Sequence, residues 1–293
     1  MKFVSFVKDN IKMAGVINSK GKIVPFSAID GFEKTEGVLD FIKNFQVKLP
    51  EGLEKAADMA LNSFDISDVK VLAPIPQMQR NVICLGKNYV EHVLEVKSKI
   101  ADAPGIPKYP IYFSKFANPA SAHGDTINLD TEATNALDYE AELAIVIGKT
   151  CKNVSHEDAY DYIFGYTIVN DLSARDIQNR HIQWFKGKNL DGYCPIGPVI
   201  EHNSSVGNPM NLNISSKVNG ELRQHSNTKN MIFDIPFILE DLSKTMTLYP
   251  GDIISTGTPE GVGMGFTPPK YLNKGDVVEC EVEGIGVLMN KIG

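Results

Sequence analysis

Cysteine is scarce in this 293-residue sequence, which has four (Cys84, Cys151, Cys194, Cys280), far apart and with no C-x-x-C pair. That pattern excludes a disulfide framework or zinc knuckle and leaves free thiols of a reducing compartment. Long apolar runs are missing as well, so no transmembrane helix is expected. Basic residues are outnumbered, with Lys+Arg 29 against Asp+Glu 36 and a net charge of -7. A nucleic-acid partner would call for a basic stripe, and none is present. An anionic small molecule would need local cations or a metal to overcome that field. The opening segment MKFVSFVKDNIKMAGVINSKGKIV lacks the apolar core and small-residue cleavage site of a secretory signal, so a cytoplasmic location is expected.

Several catalytic signatures are also absent. There is no H-E-x-x-H and no G-x-S-x-G elbow. The GKT at 148–150 would need Gly five residues before its Lys-bearing Gly, and Leu143 stands there, so it is not a phosphate loop. GTPEGVGMG (257–265) runs into FTPPKYL, which cannot open a helix, and reads as a tight turn lining a pocket.

What remains is an ordinary globular composition, 43% hydrophobic and 22% charged, long enough for about two domains. A small α+β unit is expected over residues 1–72, with strand-like runs at 3–7, 12–18 and 22–27 and helices near 36–45 and 51–61. A Pro-punctuated stretch then leads into a larger unit, 78–293, dominated by short strands and hairpin turns such as VNGEL and VEGIG. Helices are expected there only at 88–98, 155–163 and 234–246, the last capped by Asp234. Strands outnumber helices without alternating regularly, which makes the fold α+β rather than a doubly wound sheet.

Three carboxylates stand out. Glu140 and Glu142 in DYEAELAIVIG are two apart in a strand and share a face, so the pair needs a cation, a shared proton or open water. Asp171 ends a second strand-like run, GYTIVND. Three hard oxygen ligands without His or Cys suit Mg²⁺ or Mn²⁺ better than zinc. Arg175 and Gln178 follow Asp171 at helical spacing, and Lys188 adds a cation in a Gly-bracketed loop. His92 and Glu95 lie i and i+3 on a helix, where a carboxylate can orient an imidazole as general base. Taken singly, each of these is an ordinary surface feature.

Together the segments LGKNYVEH, DYEAELAIVIG, GYTIVNDLSARDIQ, KGKNLDGYCPIGP, VNGELRQHSNTKNMIF and LYPGDIISTGTPEGVG, in this order, resemble the fumarylacetoacetate hydrolase family, in particular its bacterial, acylpyruvase-like members. The resemblance implies a mixed β-roll core behind a small N-terminal domain, and a homodimer. It implies a divalent metal on Glu140, Glu142 and Asp171, substrate contacts from Arg175, Gln178, Lys188 and Thr258, and a His92–Glu95 dyad on a lid. Gly192, four residues after Lys188, replaces the Thr of the eponymous enzyme, which argues against a site specific for fumarylacetoacetate. The expected reaction is metal-dependent hydrolysis of a C–C bond in a 2-oxo acid of the acylpyruvate type, with His92, backed by Glu95, activating water and Lys188 or Gln178 holding the oxyanion. A decarboxylase or isomerase of a related 2-oxo diacid is the alternative, and a non-catalytic scaffold is a second one, because a fold constrains chemistry only loosely.

Overall fold

The computed structural model describes residues 1–99 and 105–293, apart from the side chain of Lys99. Strands β1 (Lys2–Lys8), β2 (Ile11–Ile17) and β3 (Ile23–Pro25) form an antiparallel meander. Asp9 and Asn10 turn its first corner at φ 50° and 63°, as a two-residue hairpin matched to strand twist requires. Helices α1 (Val38–Phe45) and α2 (Leu53–Met59) bury Phe41, Ile42, Leu53 and Ala57, and β4 (Lys70–Leu72) returns beside β1.

The rest of the chain runs β5 (Val82–Gly86), α3 (Val90–Lys99), β6 (Ile111–Lys115), β7 (Thr126–Ile127), β8 (Leu137–Asp138), β9 (Ala141–Ile147) and β10 (Ile163–Asn170). Then come β11 (Ser173–Ala174), α4 (Arg175–Arg180), α5 (Phe185–Lys188), β12 (Ile196–His202), α6 (Asn203–Val206), β13 (Asn213–Val218) and β14 (Glu221–Asn227). Helix α7 (Ile235–Thr245) and strands β15 (Ile253–Ser255), β16 (Val277–Val282) and β17 (Gly286–Ile292) complete it. Asp234 caps α7 by accepting from the Phe237 N–H.

Ten strands form one sheet, ordered β3-β2-β1-β12-β10-β9-β15-β5-β6 with β4 added beside β1. Five more form a second, β14-β13-β16-β17-β7, and β8 with β11 makes a short separate ladder. Among the named strands β15–β5 and β17–β7 pair in parallel and the rest antiparallel, so the fold is α+β with mixed sheets. Strand β9 shows what separates the layers. Leu143, Ile145 and Ile147 pack with Ile214, Val278 and Leu288 of the second sheet, while Ala144 and Val146 face Phe41, Phe164 and Ile200. The alternation is the two-residue period of a strand buried on both sides.

Residues 1–72 share this architecture. Phe3 pairs with Ile200 across β1 and β12, and its ring lies 4.8 Å from Phe41 and 4.9 Å from Phe164. The proposed division between 1–72 and 78–293 falls in the connection from β4 to β5, and the sheet runs across it. The helices differ from expectation: the short α4, α5 and α6 were not among those expected, and one that was expected is absent. In place of a helix at 155–163 there is a 3-10 turn, Ala159–Tyr162, because buried Ile163 and Phe164 already belong to β10. The four cysteines are free and buried. No helix among the described residues is long and apolar enough to cross a membrane.

Candidate active site

A cavity of about 400 Å³ opens between the start of β9, α3 and α4. Glu142 shares its strand face with Ala144 and Val146, but at the start of β9 that face lines the cavity. Glu140 lies just before β9, held by its N–H donating 3.1 Å to Asn170 Oδ1, and Asp171 follows the adjacent β10. Neighbouring antiparallel strands therefore bring three carboxylates together, with ligand atoms all within 4.8 Å of one another and every residue buried.

Cations surround this cluster. Lys188 Nζ lies 2.6 Å from Glu140 Oε2 and 2.8 Å from Asp171 Oδ2. Lys115, wholly buried, lies 2.6 Å from Asp171 Oδ1, and Arg175 donates 2.7 Å to Glu140 Oε1. Burial alone would raise the pKa of Glu140, but Lys188, Arg175 and His92 outweigh it and hold that carboxyl well below its ordinary range. Glu142 is pushed the other way, first by burial and then by the charges of Asp171 and Glu140. The Ser255 hydroxyl and the Gly257 N–H both donate to the same Glu142 oxygen, Oε2. A like-charged buried triad is satisfied by an added cation, and an all-carboxylate donor set is that of a hard divalent ion. The residues fit a metal centre.

Facing the triad is His92, whose Nδ1 lies 3.4 Å from Glu95 Oε2. Glu95 is fixed in turn by the Gly261 N–H, 3.0 Å from Oε1. The glycine-rich turn makes this approach possible: Gly261 has φ 96°, and a Cβ at Gly265 would overlap the Glu95 carboxylate. Thr258 and Met264 of the same turn line the cavity, as expected of a pocket turn.

All the residues singled out in the sequence meet here. Glu140, Glu142, His92, Arg175, Gln178, Lys188 and Thr258 line the cavity, with Asp171 behind them in the triad and Glu95 behind His92. Thr258 donates to the Ala141 carbonyl, and Gln178 accepts 3.0 Å from Arg175 Nη1. Three supporting groups escaped the sequence reading. Asp138 accepts from Arg175 Nε and from the Gly263 and Met264 N–H groups. It continues the Glu140–Glu142 spacing backward by two, so the strand period could have found it. Lys115 carried only the weak signal of a charge inside an apolar run. Gln224, which bridges Ala141 N and Thr258 Oγ1, carried none.

The mixed-sheet scaffold, with a buried carboxylate triad that could hold a metal ion and a His–Glu pair across one small cavity, is the architecture of an enzyme. The pattern of the fumarylacetoacetate (FAA) hydrolase C-terminal family matches residues 81–293. The chain belongs to the fumarylacetoacetate hydrolase family. It is 46% identical over 99% of its length, and 96% of the relative's, to oxaloacetate tautomerase YisK of Bacillus subtilis. Among solved structures it is similar to the fumarylacetoacetate hydrolase EaFAH of Exiguobacterium antarcticum, with TM-score 0.84 and 39% identity over 100% of this chain and 99% of that one. It is also similar to 5-carboxymethyl-2-hydroxymuconate delta-isomerase of Mycobacterium smegmatis, with TM-score 0.74 and 32% identity over 100% and 98%.

Proposed function

We propose that this protein is a divalent-metal-dependent isomerase, a keto–enol tautomerase of a 2-oxo diacid of the oxaloacetate type. The observation that carries the reading is the His92–Glu95 pair, at 3.4 Å, set beside the buried triad on one cavity. Tautomerisation requires a base at the carbon beside a keto group and positive charge at the keto oxygen, with no covalent nucleophile. The tautomerase and isomerase names of the similar proteins favour this alternative over hydrolysis, which the sequence had placed first.

Glu140, Glu142 and Asp171 would hold Mg²⁺ or Mn²⁺, which when bound polarises the keto oxygen as a Lewis acid. His92 takes the proton from the adjacent carbon through the ring nitrogen not facing Glu95. Glu95, itself tethered to Gly261, orients the ring and stabilises the imidazolium that forms. Burial disfavours the Lys188 ammonium, but Asp171 and Glu140 overcome this and keep it protonated, so Nζ supplies positive charge beside the enol oxygen. Arg175 and Gln178 offer donors to the carboxylate next to the keto group, and Thr258 borders it. Homodimerisation is part of this proposal, and a monomer by light scattering would refute that part.

The test follows the ultraviolet absorbance of enol-oxaloacetate in Mg²⁺, with and without enzyme, while pyruvate is assayed in parallel. Faster relaxation to the keto form without pyruvate is expected. Pyruvate from oxaloacetate would make the enzyme a decarboxylase. Cleavage of acetylpyruvate to acetate and pyruvate, with no effect on the enol, would restore the hydrolase.

A further inference from the structure

Lys87 lines the same cavity and has no part in the triad or the His–Glu pair. Its backbone is left-handed at φ 58°, a conformation a lysine rarely adopts without being forced. Both neighbours do the forcing. Trp184 packs over Gly86 so closely that a Cβ there would overlap the indole ring. Asn88, wholly buried, donates through Nδ2 to the carbonyls of Phe233 (3.0 Å) and Thr256 (2.8 Å) and accepts 2.8 Å from the Phe233 N–H. The turn is pinned on either side, and the residue between is held at the cavity wall.

Charge pairing separates Lys87 from the other cations of that wall. Arg175 is engaged by Asp138 and Glu140, and Lys188 by Glu140 and Asp171. Among the described residues no carboxylate lies within ion-pair distance of Lys87. Burial lowers its pKa, the mark of an ammonium that has lost water without gaining a partner. A partly buried, conformationally fixed and unpaired cation on a ligand cavity is poised to receive an anion.

We propose that Lys87 receives the distal carboxylate of a dicarboxylate ligand and sets the site's preference for diacids over monoacids. This rests on the 2-oxo diacid reading above. The 2-oxo acid end occupies the triad, Arg175 and Gln178, whose charges are already mutually engaged, so the far carboxylate needs a cation of its own.

The experiment is titration calorimetry in Mg²⁺ with (S)-malate and (S)-lactate, which share a 2-hydroxy acid head and differ in the distal carboxylate. The wild type should bind malate at least about tenfold more tightly, a difference of about 1.4 kcal/mol. Lys87→Gln should bring the two affinities together by weakening malate alone, and should raise the KM for oxaloacetate while leaving kcat within about threefold. Should Lys87→Gln fail to fold by circular dichroism, Lys87→Asn, which tolerates a left-handed backbone, carries the same expectation. A malate preference that survives the folded variant, or none in the wild type, overturns the assignment. A preference that Lys87→Gln abolishes, in a wild type that does not accelerate tautomerisation, sinks the proposed reaction and leaves Lys87 standing.

Discussion

Asp138 accepts from Arg175 Nε at 2.9 Å with both residues buried, and the same carboxylate accepts from the backbone of Gly263 and Met264. The β8–β11 ladder sets this up by pairing Ser173 with Asp138, which places the first residue of α4 beside it. One carboxylate thus ties the guanidinium to the turn that also holds Glu95. Removing one partner of a buried ion pair costs about 3–5 kcal/mol. Asp138→Asn, which keeps part of the hydrogen bonding, is expected to lose stability toward the lower end of that range and most of kcat/KM. Urea denaturation and steady-state kinetics on the same preparation check both.

Metal binding should stabilise the folded chain, because the unfolded chain offers no assembled triad. At a hundred times Kd, Mg²⁺ or Mn²⁺ contributes about 2.7 kcal/mol, visible as a rise in Tm. Glu142→Gln and Asp171→Asn are expected to abolish that rise. A variant that kept the full rise would remove its residue from the ligand set.

His92→Asn should lower kcat for proton exchange at the carbon beside the keto group by about 10²–10⁴-fold, the usual contribution of a positioned base. Glu95→Gln retains an acceptor for the ring and should fall between that variant and the wild type. Deuterium incorporation followed by NMR measures the step directly.

His202 supplies a pH dependence of stability far from the cavity. Burial, and then the N-terminal ammonium, lower its pKa from 6.5 to about 4. The geometry agrees with a neutral ring: Nδ1 accepts from the Ser204 N–H at 3.2 Å and Nε2 donates to the Val47 carbonyl at 3.2 Å. Between those two pH values the unfolded chain binds a proton that the folded one refuses, so stability falls as pH drops from 6.5 toward 4. The full effect is about 3–3.5 kcal/mol at most. A His202→Gln variant should show a flatter decline in Tm between pH 7 and pH 4 than the wild type.

Phe3 tests whether the N-terminal residues are integral to the core. Its ring is wholly buried against Phe41 and Phe164, so Phe3→Ala should cost about 3–5 kcal/mol in a single cooperative unfolding transition. Two separate transitions, with only one displaced, would show that residues 1–72 fold as an independent unit.

Much of this was legible in the chain because the signals were local. The strand runs and helices of residues 1–61 follow from period and turn chemistry, and the Asn219-Gly220 turn between β13 and β14 announces its hairpin. Glu140 and Glu142 share a face because strand geometry leaves no alternative. The expected helix at 155–163 failed where the pull of β10 on Ile163 and Phe164 outweighed local pattern. Asp138 was within reach of the same period-two reasoning, whereas Lys115 and Gln224 gain meaning only from partners far along the chain.

By itself the sequence determined the strand-rich fold class, the absence of a disulfide frame and the residue types of the buried carboxylate triad, since these depend on spacing and side-chain chemistry. Tertiary structure decided what pairing across distant strands alone can decide. It placed Asp171 beside Glu140, anchored Glu95 on Gly261, ran one sheet from β3 to β6 through the N-terminal strands, and left Lys87 at the cavity wall without a carboxylate partner among the described residues. Charges brought together from far apart in the chain acquire their pKa values and their partners only when the low-dielectric interior closes around them.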